Sequence, residues 1–62
     1  MDTDPISFTI ESFCEAHHFS RSMYFNLKAE GLGPREMRVG KRVIISREAA
    51  TDWRRAREAA AA

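Results

Sequence analysis

A chain of 62 residues has room for one small domain that buries only about 60% of the surface its unfolded form exposes, which excludes a deep, water-excluding catalytic pocket. Hydrophobic residues make up 44% and charged residues 31%, the balance of a soluble globular protein, and no apolar run approaches the roughly 20 residues that cross a bilayer. The net charge of +1 conceals a segregation: residues 1–19 carry −4 and residues 20–62 carry +5, the electrostatic footprint of a face that meets a polyanion or, equally on charge alone, of a solvated charged surface.

The opening stretch, Met1 to Ser7, holds Asp2, Asp4 and Pro5 and is expected to be an N-terminal arm. It is acidic where a secretory signal needs base, so a cytoplasmic location is expected. Phe8 and Thr9 can form a very short strand before Thr9 caps a first helix from Ile10 to about His17. Ile10, Phe13, Cys14 and His17 recur at i, i+3, i+4, i+7 and predict one buried stripe. Cys14 is the only cysteine, so no internal disulfide can form and a core role is expected. Cys14, His17 and His18 invite a zinc reading, but the chain holds no further Cys or His to complete a site. No metal and no cofactor are expected.

Only His18 and Phe19 separate this helix from Ser20, a tight turn that makes two helices cross. Ser20 can cap a second helix and Gly31 can end it in the left-handed conformation. Tyr24 and Leu27 are spaced to face the first helix, leaving Arg21, Ser22, Phe25, Asn26 and Lys28 on the other side. Arg, Ser and Asn are residue types that bond phosphates and read base edges, so this is expected to be a recognition helix for a DNA major groove.

After the breaker Gly33-Pro34, the stretches REMRV and RVIIS flank Gly40-Lys41 and predict a β-hairpin. A two-residue loop pairs Val39 with Arg42, whereas a three-residue loop pairs Val39 with Val43 and Met37 with Ile45. The latter is the expected register, since it keeps four apolar side chains on one face. Either way Lys41 and Arg42 sit at or beside the tip. Arg35, Arg38, Lys41, Arg42 and Arg47 face only Glu36 in this stretch, which makes the hairpin a basic wing. Ser46 then caps a third helix, Arg47 to about Ala60, anchored by Trp53.

Read together, Phe8-Thr9, Ser20-Arg21-Ser22, Glu30-Gly31, Gly33-Pro34, Val39-Gly40-Lys41-Arg42, Ile45-Ser46-Arg47-Glu48-Ala49 and Trp53 carry a resemblance. Over roughly residues 8 to 57 the chain resembles the small MerR-like winged helix-turn-helix proteins of the AlpA and phage excisionase type. The resemblance implies an α+β fold of three helices and a two-stranded β-hairpin wing over residues 8–60, after an arm at 1–7. It implies that Arg21, Ser22, Phe25 and Asn26 enter the major groove, with Ser20 and Lys28 completing the helix set, and that Arg38, Lys41 and Arg42 form the wing contacts. The implied function is sequence-specific binding of double-stranded DNA. The role would be that of an excisionase, or recombination directionality factor, which bends attachment-site DNA for a tyrosine or serine recombinase acting as integrase. A short AlpA-type transcriptional regulator, or a protein-interaction module, is the alternative. One small domain contacts few base pairs, so cooperative self-association on adjacent sites is expected. No enzyme activity is expected, because no nucleophile, base and oxyanion site can be assembled from the spacing.

Overall fold

The computed structural model describes residues 6–61. β1 (Ser7–Thr9) runs directly into α1 (Ile10–Ala16), and a tight turn leads to α2 (Arg21–Ala29). A loop then leads to β2 (Met37–Val39) and β3 (Arg42–Ser46), and β3 runs directly into α3 (Arg47–Ala61). Neither strand-to-helix junction needs a loop, because the last strand residue is also the helix cap. Thr9 Oγ1 accepts the Ser12 N–H at 3.0 Å while Ser12 Oγ accepts the Thr9 N–H at 2.9 Å, a reciprocal capping box. Ser46 Oγ accepts the Ala49 N–H at 3.0 Å in the same way.

The result is the expected α+β arrangement of helix, turn, helix, hairpin and helix, and the short strand expected at Phe8 and Thr9 is present as a third strand of the hairpin's sheet. β1 lies antiparallel on the free edge of β3, giving the order β1-β3-β2, with Phe8 opposite Ile45. The fold therefore reaches further into the expected N-terminal arm than residue 8. Ser7 belongs to β1, and the Ile6 carbonyl accepts the Arg47 N–H at 2.8 Å. The remainder of that arm, Met1 to Pro5, lies outside the described residues.

The wing register corrects the sequence-based expectation of a three-residue loop. Val39 pairs with Arg42, Arg38 with Val43 and Met37 with Ile44, so the loop is Gly40-Lys41 alone. Gly40 takes φ 61° and Lys41 takes no positive φ, the pattern of a II′ turn, whose twist matches that of the flanking strands. Ile45 faces the core together with Phe8, while Met37 and Val39 stay exposed. Turn chemistry and the third strand outweigh the apolar count.

Phe13 is the hub of the core. Its fully buried ring meets Trp53 at 5.2 Å, Phe8 and Tyr24 at 5.9 Å and Phe19 at 6.0 Å, all edge-on, with His17 tilted at 4.2 Å. β1, α2 and α3 thus each send one aromatic group to the same point, and the turn after α1 sends two, His17 and Phe19. Cys14, Ile45, Ala49 and Ala50 close the remaining sides. Of the stripe expected on α1, Phe13 and Cys14 are buried and Ile10 and His17 half-buried. Trp53 anchors α3 as expected, and its Nε1–H also donates to the Leu32 carbonyl at 2.7 Å.

Candidate nucleic-acid interface

Two turns fix the direction of α2. α1 ends with Phe19 N–H donating to the Cys14 carbonyl at 3.1 Å and His18 N–H to the Glu15 carbonyl at 3.3 Å, and His18 stands at φ 64°. α2 ends identically, with Leu32 N–H on Leu27 O at 2.8 Å, Gly31 N–H on Lys28 O at 3.0 Å, and Gly31 at φ 77°. Both are Schellman closures. At the other end of α2, Ser20 Oγ accepts the Met23 N–H at 3.1 Å, so Ser20 is the expected cap.

At about 100° per residue, Arg21, Ser22, Phe25 and Asn26 fall within an arc of about 140° on α2, and Tyr24 and Leu27 fall on the opposite side. All four of the former are exposed, Tyr24 is fully buried and Leu27 half-buried. The expected division of this helix into a core side and a polar side is therefore observed. The outer side is ordered from within. Phe25, 41% exposed, sets its ring at 88° and 5.3 Å against that of Tyr24, and the Arg21 guanidinium lies over Phe25 at 5.8 Å from the ring centre. Among the described residues Arg21 makes no ion pair.

Lys28 stands apart from that group. Its Nζ lies 3.1 Å from Glu36 Oε1, and the Tyr24 hydroxyl donates to Glu36 Oε2. Glu36 precedes β2, so this trio ties α2 to the root of the wing. Burial pushes the Glu36 carboxyl up, but hydrogen bonds from Tyr24 and Lys28 and the charges of Lys28 and Arg38 outweigh it and hold the carboxyl below its usual range. Burial, then the bond to Glu36 and its charge, push the Tyr24 hydroxyl well above the ordinary tyrosine range. The sequence treats Glu36 only as a lone acid in a basic stretch. That solitude is the signal, since an acid there has cations within reach.

The wing cations divide. Arg38 pairs with Val43, two residues from buried Ile45, and Arg42 pairs with Val39 on the opposite face. Arg38 thus shares the face of Glu36, Arg42 shares that of Met37 and Ile44, and Lys41 occupies the tip. All three are exposed. Arg35, counted with the basic stretch, instead bonds Asp52 of α3 at 2.9 Å.

Two of the three residues weighed as metal ligands have structural roles, and the third, His18, is exposed. Cys14 is buried, and burial raises its thiol above the usual value. The His17 ring hydrogen-bonds at both nitrogens: Nδ1–H donates to the Phe13 carbonyl at 2.8 Å and Nε2 accepts from Arg54 Nη1 at 3.1 Å. That pattern is the neutral tautomer. Among the described residues, no helix is long and apolar enough to cross a membrane. Comparison of the chain with protein-family models, curated proteins and solved structures gives no match.

Proposed function

We propose that the protein binds double-stranded DNA sequence-specifically, with α2 in the major groove and the wing on neighbouring backbone. The observation that carries this reading is the outer side of α2. A helix whose exposed side offers a guanidinium, a hydroxyl and a carboxamide, and whose other side is locked into an aromatic core, supports readout of base edges. Lys41 and Arg42, exposed at and beside the hairpin tip, supply cations for phosphates. On the resemblance stated above, its role is that of an excisionase of a phage or integrative element, acting in the cytoplasm with an integrase and with further copies of itself on adjacent sites. A short regulator of integration and excision genes would use the same interface.

Fluorescence anisotropy with labelled duplex over a salt series tests the reading. Neutralising about four phosphates gives a slope of log affinity against log salt of about −3 to −4. A flat profile, or no binding at low salt, overturns it.

A further inference from the structure

We infer that Arg21 and Phe25 act as one reading unit, selecting a guanine whose neighbouring base pair presents a thymine methyl in the major groove. This rests on the duplex-binding reading and names the bases it selects. The two side chains stand one helical turn apart on α2, Arg21 in its first turn, where recognition helices approach base edges.

The Arg21 guanidinium lies 5.8 Å from the Phe25 ring centre, within the range of a cation–π contact. A contact of this kind takes up none of the guanidinium's donors with a polar acceptor, which leaves its N–H groups for a partner. A planar fork of donors matches the O6 and N7 acceptors of guanine, while a phenyl ring matches the methyl of thymine. Successive base pairs rise by about 3.4 Å, so two groups 5.8 Å apart, on a helix inclined to the duplex axis, can span one base-pair step.

The pair is also held before any DNA arrives. Phe25 rests edge-on against Tyr24, Tyr24 is fully buried and bonded to Glu36, and Glu36 is held by Lys28. A chain of contacts from the wing root to Arg21 thereby fixes the reading group, which lowers the ordering cost of binding. It also separates the two cations of α2: Lys28 pairs with Glu36, whereas among the described residues Arg21 makes no ion pair and lies over the Phe25 ring.

Duplexes recovered by the full chain from a library of about 20 randomised base pairs would supply the probe. They are expected to share a guanine adjacent to an A·T pair. Replacing that thymine with uracil removes only the methyl, and should weaken binding about fourfold, the worth of one buried methyl-sized group. Replacing the guanine with 7-deazaguanine removes the N7 acceptor and should weaken it about tenfold. The uracil effect should vanish in Phe25→Ala, and the 7-deazaguanine effect in Arg21→Ala. Both side chains are exposed, so these variants should keep the circular dichroism spectrum and melting profile of the parent. Equal affinity for thymine and uracil duplexes, or an undiminished uracil effect in Phe25→Ala, overturns the inference while leaving duplex binding intact. Recovery of no duplex overturns both readings.

Discussion

α2 and the wing are both exposed and both basic, yet they are built in opposite ways. α2 is capped by Ser20, closed by Gly31, pinned by fully buried Tyr24 and tied through Glu36 and Lys28 to the next element. The wing has a two-residue tip and three exposed residues in β2, and only its root is tied down. A helix held on its inner side can present side chains at fixed separations, as reading bases requires. A hairpin held only at its root can follow a phosphate backbone whose position varies with DNA shape. Support, more than charge, distinguishes a group that specifies from one that attracts.

The sharpest way to break this contrast is to remove the inner support. Tyr24→Ala should cost about 3–5 kcal/mol in a domain whose total stability is of the order of 3–9 kcal/mol, removing a large share of that stability and sharply lowering the melting temperature read by circular dichroism. Val39→Ala on the exposed wing should stay within about 0.5 kcal/mol of the parent. Next in size is the functional split. Arg21→Ala should weaken a selected duplex by about 5- to 150-fold with little effect on unrelated DNA, whereas Lys41→Ala should weaken both alike and reduce the salt slope by about 1. Equal losses on both duplexes for Arg21→Ala would place that residue on the backbone.

Acid provides a gentler test of the tie between the two regions. Because the folded Glu36 carboxyl titrates below its unfolded value, its contribution is present above about pH 4.5 and is lost as pH falls through the folded value. Melting temperature should therefore fall less steeply with acidification in Glu36→Gln than in the parent. The smallest expected effects lie at the helix ends. His18→Gly relieves a left-handed histidine and should stabilise by about 0.5–1 kcal/mol, whereas Gly31→Ala should destabilise by about 1 kcal/mol. Thermal melts of the pair measure both.

Those two helix ends also show what a sequence discloses. Gly31 marks its closure because glycine at positive φ is costless, so the end of α2 can be read directly. His18 performs the same closure with a side chain that carries no such mark, and the turn could be inferred only from its brevity. Caps at Thr9, Ser20 and Ser46 were legible because a hydroxyl before an apolar-periodic segment has a local purpose. The hairpin register was not, since it depends on Ile45 facing the core beside Phe8, 37 residues earlier in the chain. For the same reason the outer side of α2 follows from periodicity, while its support by Glu36 does not. The bond from Tyr24 spans 12 positions, and no local pattern encodes it.

Cys14 gives the molecule a built-in clock. It is the only thiol in the chain and is 4% exposed on the inner face of α1, so an alkylating reagent must wait for the domain to open before it can react. The speed of labelling then measures how readily the core comes apart at that one known place, without any attached dye. Bound duplex should slow that clock in proportion to how tightly it is held.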